Sequence, residues 1–254
     1  MKKFTSIQGK TQPDPEIGEN RLRECQWQPS VELEIPDDWL SGVYLGKLTA
    51  KKGGVQSYVI FIVRDDRPCD LLFQCSDTTW QAYNNWPTNE WSLYHTDADD
   101  YTGHKKRKKW LVGGPTGWVS FDRPYGQFCQ DHLVDRPNSV GSGEFLLWEF
   151  PLSYWMEQQG YDVSYISNVD THTDGPGLQR TKGFISVGHD EYWTREMYDN
   201  VSAARDAGVN LTFLSGNAIC GQVPLLPSAE GQAHRQRQNN RGQTYKVARS
   251  LIRY

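Results

Sequence analysis

From Asp70 onward, short apolar runs alternate with stretches of helical spacing, and this alternation limits the chain more than any other feature. The runs Leu71 to Cys75, Val119 to Phe121, Val163 to Ile166, Phe184 to Val187 and Leu211 to Leu214 predict strands. Phe145 to Gln159 and Thr194 to Ala207 predict helices, closed by Gly160 and Gly208. Strands that alternate with helices imply an α/β domain with a mainly parallel sheet covered on both faces. Pro151 requires the first helix either to kink or to begin near that residue. Thr194 is an acceptable N-cap, but with Met197 three residues on it makes only half a capping box.

Upstream of this domain, Val31 to Ile35, Gly42 to Leu48 and Ser57 to Arg64 are strand-like and separated by Pro-Asp-Asp and Lys-Lys-Gly-Gly turns. They predict a small antiparallel β unit over residues 31–68. Residues 1–30 read as a loose polar lead-in, 69–220 as the α/β domain, and 221–254 as a polar tail with six basic residues and one acidic. Such a tail is solvated or docked on a partner. The five consecutive basic residues Lys105 to Lys109 read as the solvated tip of a loop.

Ten Trp and thirteen Tyr in 254 residues, with 37% apolar residues, make a globular composition rich in aromatics. A net charge of −4 gives no argument for nucleic acid or an anionic membrane as partner. The longest apolar stretch, Tyr58 to Val63, falls far short of the roughly 20 residues a membrane helix needs. The N-terminal residues lack the apolar segment of a secretory signal. Five scattered cysteines without a CxxC pattern fit reduced thiols, and the expected location is the cytoplasm.

The chemistry-bearing residues gather where the run Phe184 to Val187 ends, in the stretch Gly188-His189-Asp190-Glu191. Ligands of open parallel sheets collect beyond the carboxyl ends of the strands. If the backbone stays extended there, His189 and Glu191 project to one side and Asp190 to the other. An imidazole and a carboxylate on one side are two thirds of a His and carboxylate metal set. On the residues alone they also fit a strand-end cap in which Glu191 pairs with an arginine. A zinc deaminase would need a PCxxC that the chain lacks, and the turn carries histidine where a hydrolase carries Ser or Cys.

The runs SGVYLGKL (41–48), FQCSDTTWQAYNNW (73–86), VSFDRPY (119–125), GYDVSYISNVDTH (160–172), GFISVGHDEYW (183–193) and AGVNLTFLSGN (207–217) together resemble the C-terminal catalytic region of the N,N-dimethylformamidase large subunit. The resemblance implies a class I glutamine amidotransferase-like, flavodoxin-like fold with the Cys elbow replaced, here by His189. It further implies a mononuclear Fe(III) site whose tyrosine, histidine and glutamate are Tyr83, His189 and Glu191. Phenolate and carboxylate are hard anionic donors suited to Fe(III). Without the resemblance, Tyr83 reads as an aromatic packed with Trp80 and Trp86, and Asn217 as a turn residue. With it, Asn217 matches an asparagine that donates to a developing oxyanion. Glu191, or its acidic neighbours Asp190 or Asp170, would carry the proton to the leaving amine. The implied activity is hydrolysis of a small N-substituted amide, in a homo-oligomer that takes up a small partner subunit. Large subunits of that family are much longer, which leaves a second reading: a shortened relative that serves as a binding or assembly module.

Overall fold

The computed structural model describes residues 11–25, 27, 30–31, 33–87, 91–93, 118–126 and 140–227, together with three short strands within 236–253. The basic run at 105–109 lies outside the described residues. Among the described residues no helix is long and apolar enough to cross a membrane.

The α/β domain is built on a four-stranded parallel sheet, in the order Val163–Ser167, Cys69–Cys75, Thr181–Gly188, Asn210–Ser215. Its strands are β3 (Cys69–Cys75), β5 (Val163–Ser167), β6 (Thr181–Gly188) and β8 (Asn210–Ser215). Leu72 lies opposite Ser164 on one side and Phe184 on the other, and Val187 lies opposite Leu214. Successive residues of a strand serve opposite faces. Leu72, Ile166 and Phe184 pack on Met197, Val201 and Ala204 of helix α4 (Arg195–Asp206). Phe73, Tyr165, Ile185 and Val187 pack on Met156 of helix α2 (Phe150–Gln158), with Trp80 and Phe145. Burial on both faces is why the strands read as near-continuous apolar runs. Each fully buried side chain such as Leu72, Phe73 or Phe184 contributes about 2 kcal/mol.

The strands β1 (Gly42–Thr49) and β2 (Gln56–Val63) form an antiparallel hairpin whose Val43, Ile60 and Ile62 cover the α2 face of the sheet. Polar groups fix it to β5: Tyr165 N–H donates to Ser41 Oγ at 2.8 Å, and Ser164 Oγ donates to Asp65 at 2.8 Å. The strand expected over Val31 to Ile35 is not formed. Residues 33–35 are irregular, and Val31 and Ile35 are exposed, so their alternating pattern finds no apolar surface to pack on. Within the lead-in, Cys25 is buried and its N–H donates to Asp122 O at 2.6 Å.

Several elements differ from expectation for local physical reasons. The strand near Val119 is β4 (Trp118–Ser120), and it lies outside the parallel sheet, paired antiparallel with Ser250–Arg253. Thus part of the basic tail is strand. The helix expected from Phe145 is two pieces, a π-helical turn (Phe145–Glu149) and then α2, with Pro151 in its first turn, where a missing N–H costs nothing. The capping box of α4 is complete after all: Thr194 Oγ1 accepts from Met197 N–H at 3.0 Å, and Thr194 N–H reaches Met197 Sδ at 3.4 Å. The short helices α1 (Asp77–Tyr83) and α3 (Asn168–Thr173) were not legible, because seven and six residues are too few to show a helical period. Gly160 and Gly208 stop α2 and α4 in left-handed conformation, as expected.

Candidate active site

The carboxyl ends of β3, β6 and β8 each lead into a segment that supplies part of one cluster. After β3, Ser76 leads into α1, whose last residue is Tyr83. After β6, Gly188 turns the chain and presents His189, Asp190 and Glu191. After β8 comes the turn that carries Asn217.

These segments are tied by their backbones. Gly216 N–H donates to Gly188 O, Ile219 N–H to Asp190 O, Gly221 N–H to Glu191 O and Val223 N–H to Trp193 O, all at 2.9–3.0 Å. Strand β7 (Tyr192–Trp193) and Gly221–Gln222 extend this zipper as a short parallel pair. Thr79 of α1 accepts from the N–H groups of Glu191 and Tyr192 at 3.0 and 3.3 Å, which joins α1 to the same loop. Gly188 is required at its place: φ is 81°, and a Cβ there would stand 2.6 Å from Trp148 Cβ. Asn217 also has positive φ, 51°, which asparagine tolerates better than most residues.

The result is a convergence of three donor atoms. Tyr83 Oη donates to Glu191 Oε2 at 2.6 Å, and His189 Nε2 lies 3.2 Å from that same oxygen. The Tyr83 and His189 rings are 5.2 Å apart. Asn217 Nδ2 stands 3.3 Å from His189 Nε2. The side chains of His189 and Glu191 are 13% and 8% exposed, so the cluster opens to solvent only at its rim. Nε2 faces a carboxylate that needs a donor and an amide nitrogen that needs an acceptor, and one ring nitrogen cannot satisfy both at once.

The four residues Tyr83, His189, Glu191 and Asn217 are therefore brought together. Asp190 is turned the other way, as strand alternation requires, and is fully buried. Its carboxylate accepts from Gln74 Nε2 (2.6 Å), Ser186 Oγ (2.7 Å) and Asn168 Nδ2 (3.0 Å). Burial raises its pKa, and these hydrogen bonds pull against that rise. It braces the loop from beneath and does not join the three donors. Asp170 is engaged elsewhere, with Arg64 at 3.1 Å and with Ser167 at the N-cap of α3. Thr79, Gln74 and Asn168 carry no signature in the sequence, since their value lies in partners about a hundred positions away.

Residues 1–250 match the family described as "N,N-dimethylformamidase beta subunit-like, C-terminal". The chain belongs to that family. It is similar to the N,N-dimethylformamidase beta subunit of Paracoccus aminophilus, 23% identical over 241 residues that cover 82% of this chain and 29% of that protein. The chain thus spans less than a third of that relative's length.

For a member of the N,N-dimethylformamidase beta subunit-like family, the donor set can be tested for a metal. Donors on a single ion with bonds of ~2 Å stand roughly 3 Å apart when at right angles, and the separations in this cluster are 2.6 and 3.2 Å. Among the described residues no group of three or more His, Cys, Asp and Glu could hold an ion, so the phenol of Tyr83 is needed to complete the set. A phenolate, a carboxylate and an imidazole fit a hard trivalent cation.

Proposed function

We propose that Tyr83, His189 and Glu191 hold one Fe(III) ion and that this site hydrolyses a small N-substituted amide to an acid and an amine. The observation that carries the reading is the meeting of Tyr83 Oη and His189 Nε2 at one oxygen of Glu191, within a chain of this family. When bound, the ion supplies a Lewis acid that polarises the amide carbonyl and makes water a better nucleophile. Asn217, held beside His189 by its turn, would donate an amide N–H to the carbonyl oxygen as negative charge builds there. Glu191 takes a proton from the attacking water. Thr79 and the zipper from residue 216 to 223 keep these groups in place as the reaction proceeds.

The same reading carries a class I glutamine amidotransferase-like fold for the parallel sheet, with His189 at the position of the nucleophile elbow. It also carries assembly as an oligomer with a small partner subunit, supported by the relative's designation as a beta subunit. A second reading has the chain as a binding or assembly module without activity. It is favoured by the short span of the relative that the chain covers.

Metal analysis separates the two. Purified protein from iron-replete medium is expected to hold about one iron per chain, to show a tyrosinate-to-iron absorption band, and to release amine from formamides or acetamides. Colourless, iron-free protein that releases no amine would decide for the module.

A further inference from the structure

Strands of a parallel sheet are ordinarily covered on both faces, and β8 is not. Its Leu211 and Phe213 turn towards α4, where Leu211 packs on the core and the Phe213 ring lies 6.2 Å from that of Trp193. Thr212 and Leu214 therefore turn to the α2 side, in register with Ile185 and Val187 of β6. Ile185 and Val187 are buried in the core that α2 covers, whereas Thr212 and Leu214 are exposed, Leu214 by 55%. Cover on this face thus stops between β6 and β8 and leaves an open strip one strand wide. At the opposite edge of the sheet β5 is buried along its whole length.

Helix α2 walls the strip. Gly188 of β6 pairs with Ser215 of β8, and a Cβ on Gly188 would lie 2.6 Å from Trp148 Cβ, so Trp148 stands at one end of it. Trp155 follows about two helical turns later on the same flank. Glu157 lies roughly 200° further round the axis. It accepts from Tyr165 Oη of β5 at 2.7 Å, which turns its flank towards β5 and that of the two tryptophans towards β8. Trp148 is 39% exposed, Trp155 48%, and Tyr161, whose ring lies 5.6 Å from that of Trp155, 49%. Phe150 and Tyr154 form a further exposed aromatic pair on α2. By contrast α4, on the other face of the sheet, shows Arg195, Glu196, Asp199 and Arg205 to water. Along α2 and β8 the only exposed charge is Glu157, already engaged.

Exposed aromatics on a helix almost without charge mark a surface that another molecule covers. Trp148, Phe150, Tyr154, Trp155, Tyr161 and Leu214, each of about 200 Å² and near half exposed, leave roughly 500 Å². Two copies face to face would bury about 1,000 Å², the least that a specific interface needs. The patch is complementary to itself, since it joins a projecting ridge of indoles to an open strip and brings no like charges together. A twofold axis between ridge and strip seats each ridge on the other copy's strip.

We propose that two copies of this chain associate through the flank of α2 and the open face of β8, Trp155 of each copy resting on Thr212 and Leu214 of the other. This rests on the oligomeric part of the functional reading and not on its chemistry. Light scattering on a sizing column, over a dilution series, tests it. The native chain is expected to run at twice its own mass. Trp155→Glu and Leu214→Lys, both at exposed positions, are each expected to run as monomers, with a dissociation constant raised about 100-fold. An equal mixture of the two variants is expected to restore the dimer, because one junction is native and the other sets a carboxylate against an ammonium. Recovery in the mixture also shows that both variants are folded. A native dimer that neither variant disturbs would overturn this surface and leave the oligomeric reading standing; a monomeric native chain would overturn both. Monomeric variants whose mixture stays monomeric would overturn the seating of ridge on strip.

Discussion

Tyr83 and Glu191 lie 108 positions apart and meet at 2.6 Å, phenol to carboxylate, at the carboxyl end of the sheet. Removing the hydroxyl in Tyr83→Phe takes one donor atom from the site and one hydrogen bond from the fold. Iron binding and the absorption band are expected to vanish, and amide hydrolysis to fall by more than the roughly 100-fold that outer partners of a metal site cost. Denaturant unfolding of the metal-free protein should show a loss of about 2 kcal/mol, the worth of a hydrogen bond to a charged group. A variant that keeps both colour and iron would exclude Tyr83 as a ligand.

Asp190 sits beneath the site, where Gln74, Ser186 and Asn168 all donate to it. In Asp190→Asn an NH2 group faces some of these donors, and a buried network loses its acceptor. A destabilisation of about 3 kcal/mol is expected, with a lower unfolding midpoint in urea. Unchanged stability together with lost activity would instead point to a direct part in the chemistry.

Gly188→Ala places a Cβ 2.6 Å from Trp148 Cβ, at a φ of 81°. Strain and overpacking together should cost about 3 kcal/mol. The change also tilts His189, so iron affinity measured by chelator competition should fall with stability.

Burial raises Glu149 from 4.5 to about 7 in the folded protein. Below pH ~4.5 both folded and unfolded chains carry its proton. Between there and about 7 the folded chain binds the proton and the unfolded chain does not, so stability falls as pH rises, and above about 7 the loss is complete. The full contribution is about 3 kcal/mol. Glu149→Gln should flatten the fall of the melting temperature from pH 5 to pH 8 relative to the native protein; parallel curves would show that Glu149 does not titrate there.

Local pattern in the sequence determined the strands of the parallel sheet, the stops at Gly160 and Gly208, the hairpin, and the placing of His189 and Glu191 on one side with Asp190 on the other. Each of these depends on residues a few positions apart, where strand alternation, helical period and glycine's conformational freedom act directly. Only the tertiary structure decided through which atoms Tyr83 and Asn217 meet His189 and Glu191, that Thr79 holds the loop, and that Gln74, Ser186 and Asn168 brace Asp190. Those meetings depend on the strand order β5-β3-β6-β8 and on how the turns after each strand lean together. Strand order is settled by which faces bury best against which, a sum over the whole core that no local stretch encodes.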